Sequence, residues 1–387
     1  MKALIISRGV PTAKAPLNGI FEWDQALALK NANVDVAFLA LDFRKITEKR
    51  FWGARRYVRD GIAVFELSLP TGIYRRGLPI LQALCNSMYQ KVVHHWGRPD
   101  VLHTHFYFMG AIAAKLPKLT GIPMVHTEHS SKLNKPLESI SSLDKKLAKK
   151  AFAAASVITA VSTAYADRLC QNFGIKAQVV PNVLALQHCS VTKEDQLTES
   201  PNHRLTNFTW ISVGRLIASK GMSTLLDAFA NTLQQCPNQQ LWIIGDGPQK
   251  VALQNQIGQL GIQDKVELLG AMPRNKVQEC LANAHAFVLL SESETFGVSY
   301  IEALAMGLPV VATACGGPSD FVNDSNGLMV PIGDAATASV AMQNIANQYA
   351  IYNREQLSKD IVQKYQPSAV AKQLKEMYTT VCGKISL

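Results

Sequence analysis

Two glutamates, Glu294 and Glu302, follow an apolar run at 286–290 and have seven residues between them. The apolar run predicts a buried strand, and the residues from Gly297 onward predict the start of a helix. Free N–H groups at a helix N-terminus form an anion site, and carboxylates beside it can accept hydrogen bonds from hydroxyl groups. The alternative is that one glutamate caps the helix and the other lies on its surface.

A short basic loop follows another predicted strand, at 209–213. Its Arg215 and Lys220 stand between Gly214 and Gly221. Arginine offers a planar fork of donors and lysine a mobile point charge, and the two together suit a diphosphate. Two solvated surface charges explain such a loop equally well when it is taken alone.

Short apolar runs alternate along the chain with longer amphipathic segments, which predicts parallel sheets with right-handed crossover helices. In two doubly wound domains of this kind, ligands bind at the carboxyl ends of the strands, where the candidate loops stand. The predicted strands are at 2–7, 34–39, 62–67, 101–105, 124–127, 157–161, 178–180, 209–213, 241–244, 266–269, 286–290, 309–313 and 328–330.

The 387 residues predict two domains of ordinary size. A polar stretch with little apolar content interrupts the strand pattern, so we place a linker at 185–206 between domains at 1–184 and 207–366. A last amphipathic helix, at 367–387, begins at Pro367 and carries an apolar stripe. The stripe consists of Val370, Leu374, Met377 and Val381.

Charge is divided unevenly between the two halves. Residues 1–184 hold 25 Lys+Arg and 12 Asp+Glu, a net charge of +13, whereas residues 185–387 hold 14 and 17, a net charge of −3. The basic surplus lies in clusters at 55–59, 75–76, 132–135 and 145–150. It fits either a solvated surface or docking to an anionic membrane surface.

Several classes of protein are disfavoured by composition. The seven scattered cysteines include no CxxC pair, which argues against a disulfide framework and a zinc site. We see no run of about 18 apolar residues and no signal peptide, so we expect a cytoplasmic protein, with peripheral binding to the inner face of a membrane as a further option.

Four histidines stand at the ends of two predicted strands, in His103-Thr104-His105 and His126-Thr127-Glu128-His129. A metal site is one interpretation of such spacing. It is disfavoured because no cysteine or other ligand pattern accompanies the histidines, so we expect no metal. Histidines with satisfied hydrogen bonds at strand ends are the simpler explanation for His103 and His126.

The second half of the sequence resembles the retaining glycosyltransferase family 4, also described as glycosyl transferases group 1. The resemblance rests on five motifs that occur in the order and with the spacing of that family, and it covers nearly all of this half. The motifs are the loop 214–221, the turn 245–248, the step 270–273, the pair Glu294 and Glu302 with the residues up to 313, and the run 315–318.

The resemblance implies an α/β structure of the GT-B fold: two Rossmann-like domains with parallel sheets face a central cleft, and a C-terminal helix crosses back to the first domain. The second domain would bind a nucleoside-diphosphate sugar, with UDP as the expected nucleotide and no metal or other cofactor. Arg215 and Lys220 would hold the diphosphate, Glu302 the ribose and Glu294 the transferred sugar. The other implied donor-site residues are Gly214, Gly270, Met272, Phe296, Gly297 and Val298.

The resemblance is looser in the first half, which would bind the acceptor. Gly19 would bring backbone to the diphosphate, although the family often has two glycines here and this sequence has one. His129 would contact the transferred sugar or the acceptor as a candidate catalytic residue, with His105 second. The implied activity is transfer of a sugar to a glycan or lipid-linked acceptor in surface polysaccharide or glycolipid biosynthesis.

Other functions remain as alternatives. A nucleotide-sugar epimerase or a phosphorylase shares the fold, and a catalytically silent relative would serve as a scaffold. A nicotinamide-dependent dehydrogenase is disfavoured because no GxGxxG follows the first strand. Nucleic-acid binding is disfavoured because no recognition motif accompanies the positive charge.

Overall fold

The computed structural model describes residues 1–12, 14–44, 50–70, 77–186 and 208–383. The chain divides into two compact units. The first consists of Met1–Val183 with Tyr365–Leu387, and the second of Leu184–Lys364. From residue 187 onward, the linker predicted at 185–206 lies outside the described residues, as do Arg75 and Arg76.

The first unit contains an eight-stranded sheet in which the strand order is β3-β4-β2-β1-β5-β6-β7-β8. Neighbouring strands are parallel, except that β3 pairs antiparallel with β4. The strands are β1 (Lys2–Ser7), β2 (Asp35–Asp42), β3 (Gly53–Arg59), β4 (Ile62–Ser68), β5 (Val101–His105), β6 (Met124–Glu128), β7 (Val157–Ala160) and β8 (Gln178–Val179).

Helices cover this sheet, and the chain's last helix is one of them. That helix packs against the first helix of the chain, and its apolar stripe from Val370 to Val381 is buried, as the periodicity predicts. The helices of the unit are α1 (Ile20–Asn31), α2 (Leu78–Trp96), α3 (Tyr107–Ala113), α4 (Leu116–Thr120), α5 (Ser142–Ala154), α6 (Thr163–Phe173) and α13 (Pro367–Gly383).

Strand β3 is absent from the sequence prediction. It is an edge strand with three arginines, and Arg55, Arg56 and Val58 are exposed. Apolar residues therefore do not recur along it with the period that marks a half-buried strand. Its antiparallel pairing corrects the expectation of an entirely parallel sheet, and its charged side chains suit an unpaired sheet edge.

The second unit contains a six-stranded parallel sheet of order β11-β10-β9-β12-β13-β14. Its strands are β9 (Phe208–Val213), β10 (Gln239–Ile244), β11 (Val266–Gly270), β12 (Ala286–Leu289), β13 (Val310–Thr313) and β14 (Gly327–Val330). Its helices are α7 (Met222–Gln235), α8 (Lys250–Gln259), α9 (Arg274–Ala282), α10 (Val298–Ala305), α11 (Ala335–Asn347) and α12 (Arg354–Tyr365).

The two sheets confirm an α/β protein with two doubly wound units. Both are parallel apart from β3, and in each the chain starts in the middle of the sheet, moves to one edge and then returns to the other side. Such a reversal of strand order opens a crevice at the carboxyl ends of the strands, where loops leave in opposite directions.

Candidate functional site

In the second unit the order of strands reverses between β9 and β12. The chain runs from β9 outward to β10 and β11, and then returns to β12 on the other side of β9. The loop after β9 carries Arg215 and Lys220, and the loop after β12 carries Glu294. The topology therefore places these three predicted residues on the two loops that flank the reversal.

Lys220 and Glu294 meet across this reversal. Lys220 Nζ lies 2.5 Å from Glu294 Oε1, and Ser291 Oγ donates to the same oxygen at 2.8 Å. The two charged side chains are only 19% and 10% exposed. Lys220, the residue predicted to bind the diphosphate, and Glu294, the residue predicted to bind the sugar, thus form one ion pair. The pair is partly desolvated, and charge interactions there are stronger than at an open surface.

The backbone of the β9 loop fits tightly against the end of β12. Gly221 precedes α7 with a φ of 62°, and a Cβ added to it would lie 1.8 Å from the carbonyl oxygen of Leu290. Glycine is therefore required here both by conformation and by space. Glu292 N–H also donates to the carbonyl of Ser219 at 3.0 Å, so the two loops are joined through their backbones.

Arg215 is placed differently from Lys220. Its side chain is exposed and makes no hydrogen bond or ion pair with any residue of the described part of the chain. The next residue, Leu216, donates its N–H to Asp246 and accepts a bond from the N–H of Gln249. The turn 245–248 therefore supports the basic loop, and Arg215 extends from that support toward solvent.

The second glutamate of the pair lies on α10. Glu302 is 9% exposed, and its Oε1 lies 3.2 Å from Arg274 Nε at the start of α9. Helix α10 begins after Gly297, and no side chain caps it, so its first N–H groups are not bonded to a capping side chain. The preceding Phe296 is buried and packs its ring against Phe321.

Arg274 was missed in the sequence. The structure pairs it with a predicted site residue, although the two stand 28 positions apart. One signal was available in the sequence. Arg274 directly follows Pro273, in the segment that comes after strand β11 of the same sheet. The predicted Gly270 accepts the N–H of Gly245 at 2.9 Å, and Met272 is half-buried in the same step.

The glycine-rich run 315–318 fixes the backbone of Glu294. Gly317 N–H donates to the carbonyl of Glu294 at 3.0 Å, and Glu294 N–H donates to the carbonyl of Cys315 at 3.3 Å. Thr313 Oγ1 donates to the carbonyl of Ser291. Burial raises the pKa of the Cys315 thiol to about 11, so this cysteine is not a thiolate at neutral pH.

In the first unit, Gly19 stands at the start of α1 and close to the end of β1. Its φ is 73°, and a Cβ on it would lie 2.1 Å from the carbonyl oxygen of Gly9. Beside it, Glu22 is fully buried, accepts a hydrogen bond from Ser7 Oγ at 3.1 Å and lies 3.7 Å from Arg8 Nε. Burial raises the pKa of Glu22. Glu22 was not predicted, and its place in the first turn after the glycine loop was the available signal.

The four histidines form a buried cluster at the ends of β5 and β6. His105 Nδ1 lies 3.0 Å from His129 Nε2. His103 bonds Tyr378 of α13 and Thr127, which are the satisfied contacts expected of it. His126 bonds Thr104 and Glu128 in the same way. The structure thus brings together the two histidines that were selected as site candidates.

Two features are absent from the described ranges of the chain. No group of three or more His, Cys, Asp or Glu side chains in 1–12, 14–44, 50–70, 77–186 and 208–383 is arranged to hold a metal ion. Among the helices of those same ranges, none has the length and apolar character needed to cross a membrane.

Solved structures define the class to which this fold belongs. Sucrose-phosphate synthase from Thermosynechococcus elongatus matches with a TM-score of 0.79 at 20% identity, over 99% of this chain and all of that one. The lipopolysaccharide outer core galactosyltransferase WaaB matches with a TM-score of 0.71 at 19% identity, over 98% and 99% of the two chains. HepE of Anabaena, solved with UDP-glucose, matches with a TM-score of 0.72 at 20% identity, over 98% of this chain and all of that one. The chain has the GT-B fold of glycosyltransferases.

Sequence comparisons identify the family. The model for glycosyltransferase family 4 matches residues 23–188, and the model for glycosyl transferases group 1 matches residues 193–363. The chain is therefore a glycosyltransferase of family 4.

Two named relatives give the range of this similarity. The teichuronic acid biosynthesis glycosyltransferase TuaC of Bacillus subtilis (strain 168) is 28% identical over 380 residues, which are 93% of this chain and 91% of that protein. One component of the human phosphatidylinositol N-acetylglucosaminyltransferase is 27% identical over 270 residues, which are 68% of this chain and 53% of that protein.

Proposed function

We propose that this glycosyltransferase transfers a sugar from a UDP-linked donor, with retention of configuration and without a metal ion. The observation that carries the proposal is the ion pair of Lys220 with Glu294 at the reversal of strand order. A cation for a diphosphate and a carboxylate for sugar hydroxyls are adjacent there, which is the arrangement that a nucleoside-diphosphate sugar needs. HepE, which shares the fold, was solved with UDP-glucose, and this supports the choice of nucleotide.

The roles follow from charge. Departure of UDP builds negative charge on the leaving phosphate, and fixed cations stabilise that charge most when it develops in a partly dry site. Lys220, Arg215 and the uncapped N-terminus of α10 supply positive potential without a metal. Glu294 would accept hydrogen bonds from the sugar, and Glu302, held by Arg274, would accept them from the ribose.

We propose that the acceptor is a growing glycan or a lipid-linked sugar in surface polysaccharide or glycolipid biosynthesis. The support comes from the names of relatives, which concern teichuronic acid and phosphatidylinositol. The first unit would bind this acceptor, with His129 and the Gly19 loop at the carboxyl ends of its strands. These are the positions where a doubly wound sheet binds ligands.

We further propose that the first unit docks on the anionic inner face of a membrane through exposed lysines before and along α5. These side chains make no hydrogen bond or ion pair with any described residue, so their charge is available. Each lysine near an anionic surface contributes about 1 kcal/mol. The lysines are Lys132, Lys135, Lys146, Lys149 and Lys150.

Co-sedimentation with vesicles tests the docking. The variant K149Q/K150Q should bind anionic vesicles more weakly than the wild type by about tenfold or more. The control K276Q/K359Q removes two exposed lysines from the second unit and should leave binding unchanged. Equal binding of the wild type to neutral and anionic vesicles would refute the docking.

Thermal unfolding in the presence of nucleotides tests the donor site. UDP, GDP, ADP and NAD are each added at about 1 mM, with and without a chelator. A ligand at about 100 times its Kd adds roughly 2.7 kcal/mol of stability, and Tm rises by several degrees. We expect a chelator-insensitive rise with UDP that is lost in Lys220→Ala and Glu302→Ala but retained in Lys276→Ala.

The outcomes separate the alternatives. A rise with UDP followed by sugar transfer to an added acceptor supports the transferase, whereas product formed from the donor without any acceptor would indicate an epimerase. The absence of a rise with every diphosphate would favour a catalytically silent scaffold.

A further inference from the structure

One carboxylate oxygen of Glu294 already accepts two hydrogen bonds from within the chain. Lys220 Nζ lies 2.5 Å from Glu294 Oε1, and Ser291 Oγ donates to the same atom at 2.8 Å. A carboxylate oxygen offers two lone pairs, so both sites on Oε1 are taken. A sugar hydroxyl that binds at Oε1 must therefore displace one of these two donors.

The two donors differ in how far they can move. Ser291 is fully buried, and its carbonyl accepts a hydrogen bond from Thr313 Oγ1, so its hydroxyl stays beside the carboxylate. The side chain of Lys220 is 19% exposed, and its four-carbon stem has several rotatable bonds. Lys220 is therefore the donor that a hydroxyl displaces.

The displaced ammonium remains near the site because the backbone that carries it is fixed. Lys220 N–H donates to the carbonyl of Ile217 at 3.0 Å, and Gly221 N–H donates to the carbonyl of Ala218 at 2.9 Å. Only the side chain of Lys220 has to turn away from Glu294. A phosphate that binds this ammonium competes with the carboxylate, whereas a hydroxyl that takes Oε1 releases the ammonium to the phosphate.

We propose that Glu294 makes the site distinguish a UDP-linked sugar from a diphosphate that carries no sugar. A bound sugar gives Glu294 a hydroxyl in exchange for Lys220, whereas UDP by itself must separate the ion pair without that exchange. The sugar and the phosphates thus bind with a coupling free energy. Once the sugar has been transferred, Glu294 recovers Lys220 and the binding of UDP is weakened, which favours release of the product. The inference rests on the proposed function, which assigns the phosphates to Lys220 and the sugar to Glu294.

Titration calorimetry of the full chain measures this coupling. The ligands are UDP, inorganic pyrophosphate, UDP-glucose, UDP-galactose and UDP-N-acetylglucosamine. In Glu294→Gln the Kd for UDP and for pyrophosphate should fall about tenfold, because a charge-assisted hydrogen bond no longer has to be broken. The Kd for the UDP-sugar that the wild type binds most tightly should not fall, because the sugar loses the carboxylate.

A second variant and two controls make the result specific. Glu294→Ala should change each Kd in the same direction, and the Tm of both variants checks that they are folded. Glu292→Gln is the matched control, because Glu292 is an exposed glutamate of the same loop whose side chain bonds none of the described residues. Its effect on each Kd should stay below about twofold. In Lys220→Met/Glu294→Gln the gain in affinity should be absent, because the released ammonium is missing.

Each outcome decides a separate part of the inference. An unchanged or raised Kd for UDP and pyrophosphate in both Glu294 variants would overturn it, and so would an equal gain in Glu292→Gln. A Kd that falls by the same factor for UDP and for the UDP-sugar would show that the sugar does not take the carboxylate, which refutes the role in specificity. If no variant binds any nucleotide, the proposed function fails, and the pyrophosphate titration still decides whether Glu294 competes for Lys220.

Discussion

Replacing Lys220 with methionine tests the central ion pair of the second unit. The change removes the ammonium 2.5 Å from Glu294 Oε1 and leaves a carboxylate whose side chain is only 10% exposed. Loss of one partner of a charged hydrogen bond costs about 1.5–3 kcal/mol, and loss of one from a fully buried pair costs about 3–5 kcal/mol. Because Lys220 is itself 19% exposed, we expect a loss of about 2 kcal/mol.

Calorimetry of the full chain measures this loss. For a unit of this size, about 2 kcal/mol corresponds to a fall in Tm of about 4–8 °C. The variant Lys276→Met is the matched control, because its ion pair with Glu279 in the same unit is more than half exposed on both sides. Water screens an exposed pair of this kind and it contributes little to stability, so Tm should fall by less than about 2 °C.

A double variant separates stability from function. In Lys220→Met/Glu294→Gln the carboxylate charge is removed together with the lysine, so the loss should be smaller than the sum of the two single losses by about 1–2 kcal/mol. The rise in Tm with UDP should stay absent, because the cation for the diphosphate is still missing. Strictly additive losses would refute the ionic coupling, and a UDP response that returned with stability would refute the role of Lys220.

Three further predictions concern other positions. In Arg274→Met, Glu302 loses the guanidinium that lies 3.2 Å from its Oε1. The Kd for UDP, measured by titration calorimetry, should therefore rise about tenfold. An unchanged Kd would argue against the proposal that Glu302 binds the ribose. For Glu22, burial raises the pKa of the folded state above that of the unfolded chain. The stability contributed by this group is therefore lost as pH rises. In urea unfolding between pH 5 and 8, the free energy of unfolding of Glu22→Gln should increase relative to that of the wild type. A difference between the two free energies that does not change with pH would contradict this. Gly221→Ala should cost about 2–3 kcal/mol in urea unfolding, since its Cβ would lie 1.8 Å from a carbonyl oxygen. The matched control for Gly221→Ala is Gly258→Ala, which has open space around the added Cβ within a helix and should stabilise the protein by about 0.5–1 kcal/mol.

Most strands were predictable because they are buried in parallel sheets. A parallel strand covered on both faces appears as a short apolar run, and each of the thirteen predicted runs overlaps a strand of the structure. The missed strand, β3, lies at a sheet edge with exposed arginines, so its sequence carries no apolar pattern. Its partner is set by the turn at Asp60, which has a φ of 49° and is followed by Gly61.

The candidate donor loops were also predictable, for a topological reason. Loops that follow parallel strands leave at one edge of the sheet, so residues after 213, 244, 270 and 289 gather there whatever their distance in sequence. Their chemical type could be read directly, as for Arg215, Lys220 and Glu294. The resemblance to family 4 then assigned roles that the residues alone leave open, and those roles remain predictions.

The sequence by itself determined the class of fold, the loops that carry the charged residues and the membership of a family, because apolar periodicity and motif spacing are local properties of the chain. Only the tertiary structure decided which side chains meet: Lys220 with Glu294, Arg274 with Glu302, and His105 with His129. These contacts depend on strand order, register and side-chain rotamers. The same packing joins His103 to Tyr378, which are 275 positions apart in the sequence. A charged side chain acquires its partner from that packing, and for this reason the sequence alone did not reveal that Arg274 meets Glu302.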